Sequence, residues 1–249
     1  MSTIPNVPEN SSPGVATPGA GNSRLETPRR RCLGLGMVLL VSFGPFIASS
    51  TYYLSGKMAP SGWQAGEARL VSGLITESTS LIVLWYVLSG QGRPWRSIGW
   101  NFQWMDILRA VGLLFASSLV TYGIWMAVQL SLAHSGYHLT PKSVRGLLGF
   151  GLSAFTIILV CLNPFFEELI VRGYLMSEIL DLTGNGALAV AASVVVQMSY
   201  HLYQGFANGI VLTTTFLVFS IYFLRSRRIA PLVLAHFFLD AYALLRTVF

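Results

Sequence analysis

Seven long apolar stretches follow one another between residues 32 and 248, and they constrain the possible fold more than any other feature of this sequence. Most of them approach the roughly 20 residues that an α-helix needs to cross the hydrocarbon core of a bilayer. Because lipid offers the backbone no hydrogen-bond partner, stretches of this kind are expected to be helical. The sequence therefore predicts an all-α fold, a polytopic transmembrane bundle of about seven helices. The stretches are 32–54, 70–88, 107–130, 147–166, 187–203, 208–224 and 229–248.

The composition favours lipid over water as the main surroundings of this chain. Hydrophobic residues make up 53% of the chain and charged residues 10%, whereas soluble domains average about 25% charged residues. The net charge of +6 does not indicate a nucleic-acid partner, because the Lys and Arg residues stand in short clusters between the apolar stretches. Cys32 and Cys161 have neither the spacing of a metal site nor that of a disulfide framework.

Three regions are expected along the chain. Residues 1–31 are rich in Pro, Ser, Gly, Asn and Thr, so they are predicted to be a disordered polar N-terminal tail. Residues 32–146 contain the first group of transmembrane helices. Residues 147–249 contain the second group, together with most of the polar residues that are unusual inside a membrane helix.

The distribution of Arg and Lys predicts the orientation in the membrane, because these residues favour cytoplasmic loops. With the N-terminus inside, the inner segments carry ten Arg or Lys residues and the outer segments carry five. We therefore expect an integral protein of the plasma membrane whose N-terminus is cytoplasmic.

Two adjacent acids, Glu167 and Glu168, follow the fourth apolar stretch. Glu168 and Arg172 are four residues apart with the acid first, an order that favours an ion pair on one helix face. Adjacent residues of a helix point about 100° apart, so Glu167 points away from the face of Glu168 and Arg172 and has no near neighbour to pair with. It is therefore a candidate general base. The alternative is a helix end at the membrane surface, where all three charges are solvated. Spacing alone does not decide between the two.

Two histidines stand inside later apolar stretches. Gln197 precedes His201 by one helical turn and so lies on the same helix face. A lone histidine in such a stretch is, however, more often a packing residue than a catalyst. His236 and Asp240 are four residues apart, so the acid can fix the tautomer of the imidazole. The alternative for this pair is an interhelical hydrogen bond that only holds the bundle together.

These groups are costly to bury, and the cost suggests a common purpose. A charge at the bilayer centre costs about 2.5–3.5 kcal/mol on insertion scales. Brought together, the acids and histidines would supply a base, proton shuttles and oxyanion donors around one water. Glu77, which stands in the second stretch beside several Thr and Ser residues, is a weaker candidate for the same cavity or for an interhelical bond.

The depth of each group follows roughly from its position in its helix. At about 1.5 Å per residue, Glu167 falls near the inner end of its helix. His236 and His201 fall about 10 Å and about 20 Å from the inner ends of theirs. These depths favour the cytoplasmic half of the bilayer, with a water-filled cavity that opens inward.

Three ordered motifs resemble the CPBP family of intramembrane proteases, which includes type II CAAX prenyl endopeptidases and bacterial abortive-infection proteins. The resemblance covers roughly residues 147–249 and implies a CPBP-like catalytic transmembrane core. It implies that Glu167 activates the attacking water with His201 beside it. It also implies that His236 and Asp240 hold the oxyanion or orient the water. Glu168 and Arg172 would be structural or would orient the substrate. The motifs are Glu167-Glu168-x-x-x-Arg172, a His in the next helix, and His236-x-x-x-Asp240.

One position departs from the family pattern, and the metal requirement stays open. The family usually has Phe four residues before the first histidine, where this chain has Gln197. Family members are often described as metalloproteases, and two His with an acid are a plausible ligand set for a divalent metal such as zinc. A water activated by Glu167 can equally suffice without metal.

The expected function is hydrolysis of a peptide bond in a membrane-embedded or lipid-anchored protein, with CAAX-type processing as one option. One alternative is a non-catalytic membrane binding or scaffold protein of the same fold, which Gln197 suggests. Another is a small transporter in which Glu77, Glu167 and the histidines relay protons. The absence of a detectable sequence repeat between the two halves argues mildly against a transporter.

Overall fold

The computed structural model describes residues 27–55, 66–134, 136–140 and 153–248, and these residues form helices but no strand. This part of the chain contains seven helices, which confirms the all-α prediction. Six of them, α1 to α6, are long and apolar enough to cross a membrane. The seventh has 19 residues and carries the polar side chains of His236 and Asp240. The helices are α1 (Pro28–Leu54), α2 (Gly66–Gly90), α3 (Met105–Ala133), α4 (Ala154–Thr183), α5 (Gly186–His201), α6 (Phe206–Ser226) and α7 (Ala230–Val248).

Ion pairs join the ends of several helices. At the start of α1, Arg31 Nε donates to Glu178 Oε2 near the end of α4 at 2.8 Å. The start of α3 meets the start of α7 through Asp106, which accepts from Arg228 Nε and Nη2 at 3.0 and 2.8 Å. These bonds hold the pKa of Arg228 above its ordinary value. Ion pairs therefore fasten helix ends that are far apart in the sequence.

Helix α4 changes its winding beside the two adjacent acids. It is α-helical over Ala154–Glu167, π-helical over Glu168–Leu175 and α-helical again over Met176–Thr183. Pro164 lies inside the first segment and has no N–H to donate, so a regular helical hydrogen bond is missing there. Short π-helical segments occur frequently at functional sites.

The continuation of α4 corrects two predictions. The sequence predicted that this helix ends at residue 166, with Glu167 near its inner end, and both expectations are wrong. Glu167 is the last of the 14 residues of the first segment, and two segments of 8 residues each follow it. At about 1.5 Å per residue, the acid lies about 20 Å from either helix end. Glu167 and Glu168 are 4% and 0% exposed, so they are not solvated acids at a helix end.

The connection between α2 and α3 docks against α4 and α7. Gly99 has a φ of +91°, and a Cβ at this position would lie 2.6 Å from the carbonyl oxygen of Arg227, so only glycine fits. Gly173 in the π-helical segment lies close to Ile98, and a Cβ added at Gly173 would be 3.1 Å from the carbonyl oxygen of Ile98. These contacts fix α4 against the turn that leads into α7, and both helices carry candidate site residues.

An aromatic cluster joins α1, α4 and α5 next to the acids. The ring of Phe43 lies 4.7 Å from that of Tyr200 and 5.1 Å from that of Phe166, measured between centroids. Phe166 directly precedes Glu167, and Tyr200 directly precedes His201. Packing of these large rings therefore holds the backbone beside two candidate site residues.

The predicted regions agree only in part with the helix boundaries. Helix α1 begins at Pro28, four residues before the first apolar stretch. Residues 1–26 of the predicted tail lie outside the described residues, as do residues 141–152. The extent of the three regions and the cytoplasmic location of the N-terminus stay predictions.

Candidate active site

The side chains of Glu167 and Glu168 diverge where α4 becomes π-helical. Glu168 Oε1 accepts from Arg172 Nη1 at 3.3 Å, which is the pairing that the sequence predicted. Glu167 Oε2 accepts instead from the amide Nε2 of Gln197 in α5. The two neighbouring carboxylates therefore serve different partners.

Gln197 connects the two acids into one buried network. Its Oε1 accepts from Arg172 Nη1, while its Nε2 donates to Glu167. Gln197 and Arg172 are both 0% exposed. The departure from the usual phenylalanine thus has a direct structural consequence, because an amide can bind an acid and a guanidinium together.

His236 of α7 lies between both acids. Its Nδ1 is 2.9 Å from Glu168 Oε1. Its Nε2 is 3.9 Å from Glu167 Oε2 and 3.7 Å from Asp240 Oδ2. Asp240 is held in turn by Asn163 of α4, whose Nδ2 donates to Oδ2 at 3.1 Å. The imidazole is therefore oriented by one carboxylate and directs its second nitrogen toward the other two.

His201, the last residue of α5, approaches Glu167 from another side. Its Nε2 is 3.9 Å from Glu167 Oε1. Its Nδ1 is 2.9 Å from the amide Nε2 of Gln204, which stands in the 3₁₀ turn after α5. Two imidazoles on different helices thus flank one carboxylate.

Phe216 of α6 forms an apolar wall against both histidines. Its ring centroid is 5.6 Å from that of His201 and 6.2 Å from that of His236. The guanidinium carbon of Arg172 lies 4.9 Å from the centre of the same ring. Phe216 is 3% exposed, so it excludes solvent from this side of the acids and steadies the arginine through a cation–π contact.

Glu77 of α2 adds a further acid close to this group. It is 3% exposed, and its Oε2 has no hydrogen-bond partner among the described residues. It interacts electrostatically with Glu167, Asp240 and His236. The sequence named Glu77 as a weaker candidate for the same cavity, and the structure places it beside the other acids.

The described residues contain no group of three His, Cys, Asp or Glu side chains placed to hold one metal ion. A zinc site needs such donors about 2.0–2.3 Å from one point. Glu167 is bound instead by the amide of Gln197.

All four predicted catalytic residues, Glu167, His201, His236 and Asp240, come together, along with the three supporting residues Glu168, Arg172 and Gln197. Asn163, Gln204 and Phe216 also belong to the site, and they were not predicted from the sequence. Asn163 is a polar residue in an apolar stretch, so the cost of burial could have revealed it. Gln204 and Phe216 are common residue types in unremarkable positions, and no local signal distinguishes them.

Comparison with known protein families gives one finding. Residues 149–242 match the family model described as type II CAAX prenyl endopeptidase Rce1-like. The matched region contains the three motifs from Glu167 to Asp240, so the resemblance inferred from those motifs is confirmed for this part of the chain. Comparison with curated proteins and with solved structures gives no match.

Proposed function

We propose, taking as premise that residues 149–242 are Rce1-like, that this protein is an intramembrane endopeptidase. It hydrolyses a peptide bond of a membrane-embedded or lipid-anchored protein. The observation that supports this most is the position of Glu167, with an imidazole Nε2 atom 3.9 Å from each of its two oxygens.

These distances suit a water molecule between the acid and an imidazole. A separation of 3.9 Å is too long for a direct hydrogen bond. A water in such a gap can reach both groups at once. Glu167 is the natural base for this water, because its carboxylate is held by Gln197 through one oxygen and keeps further lone pairs free.

In the proposed reaction, Glu167 takes one proton of the water while the water oxygen bonds to the carbonyl carbon of the substrate. The π electron pair of the carbonyl moves onto its oxygen, which becomes an oxyanion. The carbonyl then re-forms, the C–N bond breaks, and the proton held by Glu167 passes to the leaving nitrogen. The products are a carboxylic acid and an amine.

The remaining polar residues keep these groups in position. Glu168 orients His236 through its Nδ1, and Arg172 balances the charge of Glu168. Asp240 Oδ2 and His236 Nε2 lie 3.7 Å apart and together orient the water. Because each of these side chains is held by another, little reorganisation is needed during the reaction.

The family description and the membrane helices support a proposal for the substrate class. The family description names prenyl endopeptidases, so we propose a lipid-anchored protein, with a prenylated tail as the first candidate. The chain has six described helices suited to a bilayer, and a lipid anchor would bring such a substrate to the same membrane. We further propose a location in the plasma membrane with the N-terminus in the cytoplasm.

The test uses the full chain reconstituted in liposomes with a fluorogenic prenylated peptide and a library of membrane peptides. Cleavage products are identified by mass spectrometry. Glu167→Gln keeps the shape of the side chain but cannot accept the proton, so cleavage should be lost while folding is retained. Asp181→Asn is the matched control, an acid-to-amide change on the same helix at a carboxylate that is 46% exposed, and it should cleave normally. Cleavage by Glu167→Gln would refute the proposed base.

A non-catalytic protein of the same fold is the second candidate, and one observation favours it. The amide of Gln197 binds Glu167 directly, which could occupy the acid permanently. Under this alternative the wild-type protein cleaves nothing in the peptide library, and Gln197→Phe, which restores the usual residue of the family, gains activity.

A further inference from the structure

The environments of the two imidazoles differ in hydrogen-bond chemistry. The amide nitrogen of Gln204 lies 2.9 Å from His201 Nδ1, and an amide NH₂ group can only donate. His201 Nδ1 is therefore the acceptor. In a neutral imidazole the other nitrogen then carries the proton, so His201 presents an N–H at Nε2.

His236 has the opposite arrangement. Its Nδ1 lies 2.9 Å from Glu168 Oε1, and an ionised carboxylate can only accept. His236 Nδ1 is therefore a donor, whereas Nδ1 of His201 is an acceptor. Nε2 of His236 faces two further carboxylates, Glu167 and Asp240, at 3.9 and 3.7 Å.

The donor of His201 lacks an acceptor. Its Nε2 is buried and has no hydrogen-bond partner in the described part of the chain, and the nearest Glu167 oxygen is 3.9 Å away. A buried N–H without an acceptor is unfavourable for folding. Such a group is expected where a ligand supplies the missing oxygen.

Gln204 is well placed to hold this state. It lies in the 3₁₀ turn Leu202–Gln204, which is closed by the hydrogen bond from Gly205 N to Leu202 O at 3.1 Å. Its amide nitrogen also lies 3.3 Å from the hydroxyl oxygen of Tyr203. Two hydrogens of one NH₂ group thus meet two acceptors, which fixes the orientation of the amide.

We propose that Gln204 is a positioning residue that keeps the proton of His201 on Nε2, where it donates to the carbonyl oxygen of the substrate. The inference rests on the proposed peptidase function and refines it. When the water oxygen bonds to the carbonyl carbon, the π electron pair moves onto that oxygen, and the His201 Nε2–H bond stabilises the negative charge without transferring its proton. The expected oxyanion donor is therefore His201.

The decisive variant is Gln204→Glu. A carboxylate next to Nδ1 accepts a hydrogen bond instead of donating one, so it draws the proton of His201 from Nε2 to Nδ1. Loss of one oxyanion donor typically lowers kcat by about 10²–10³-fold. We expect a decrease in kcat of that order with KM changed much less. Gln103→Glu, the same change at an exposed side chain, is the control and should keep wild-type kinetics.

A spectroscopic measurement tests the proton position without any activity. ¹⁵N NMR of histidine-labelled full-length protein is recorded in a His134→Gln/His138→Gln background, which leaves His201 and His236 as the labelled residues. The expected spectrum has His201 protonated at Nε2 and bare at Nδ1, and Gln204→Glu moves that proton to Nδ1. A wild-type His201 that is bare at Nε2 would overturn the inference, as would wild-type kcat in Gln204→Glu. A wild-type protein that cleaves no peptide refutes the peptidase instead, whatever the NMR result.

Discussion

Replacement of Arg172 by methionine is the perturbation that most directly probes the buried network. The side chain is 0% exposed. Its Nη1 donates to Glu168 Oε1 at 3.3 Å and also to Gln197, and its guanidinium carbon lies 4.9 Å from the centre of the Phe216 ring. Methionine keeps much of the length and apolar surface of arginine but removes the charge and every donor.

The expected loss of stability follows from the burial of Glu168. This carboxylate is also 0% exposed, so without the arginine it keeps His236 as a partner but loses its permanent cation. Breaking a buried ion pair from one side typically costs about 3–5 kcal/mol, whereas replacing both partners is often close to neutral. Arg172→Met should therefore lower the free energy of unfolding by about 3–5 kcal/mol. Adding Glu168→Gln to Arg172→Met should restore about 2 kcal/mol of that loss, within the range of couplings seen between contacting residues.

The assay is reversible unfolding in mixed micelles with increasing mole fraction of dodecyl sulfate, followed by tryptophan fluorescence. The two single variants, the double variant and the wild type form a double-mutant cycle. Asp181→Asn serves as the surface control, since its pair with Arg31 is exposed and should contribute less than about 1 kcal/mol. An Arg172→Met variant whose free energy of unfolding lies within about 1 kcal/mol of wild type would contradict the expected loss, as would a double variant that loses the full sum of the two single losses.

Three further changes test other parts of the structure. Gly99→Ala places a Cβ 2.6 Å from the carbonyl oxygen of Arg227 at a φ of +91°. We therefore expect it to lower the free energy of unfolding by about 1–3 kcal/mol in the same assay. Gly92 also has a positive φ but has open space around it, so Gly92→Ala measures the backbone strain without the clash. Glu77→Gln should not lower the free energy of unfolding. Glu77 Oε2 has no hydrogen bond to lose among the described residues, and a neutral amide costs less free energy to bury than an ionised acid. A marked loss of stability would contradict this and would indicate a hydrogen bond to the acid. Because the proposed reaction uses Glu167 as the base and includes no metal, cleavage should persist after dialysis against EDTA, and elemental analysis of the active protein should give less than stoichiometric zinc.

The number and approximate position of the helices could be predicted because length and hydropathy are properties of a local segment. The error in α4 shows the limit of that approach. Hydropathy falls at Glu167, Glu168 and Arg172 as it does at a true helix end, and the sequence offers no local sign that these charges are paired inside the bundle. Their partners Gln197 and His236 lie on other helices, so only the tertiary structure reveals that the helix continues.

The candidate site could be found from sequence because acids and histidines are expensive to bury in a membrane helix. That criterion selects residue types, not contacts. It identified Glu167, His201 and His236 but gave no role to Gln204 or Phe216, which are a common amide and a common apolar ring. Their importance arises from contacts with the imidazoles at 2.9 and 5.6 Å, which depend on how α5 and α6 pack.

The buried network is better understood as a positioning device than as a source of stability. One atom, Glu168 Oε1, accepts from both Arg172 and His236, so the ion pair within α4 and the orientation of a site imidazole depend on each other. Arg172 also reaches Gln197, which holds Glu167. A well-packed apolar core would be at least as stable as such buried charges. An apolar core could not, however, hold two imidazoles on either side of one carboxylate. That requirement explains why Glu167, Glu168 and Arg172, which are costly to bury, lie in the middle of α4, where packing on every side constrains them most.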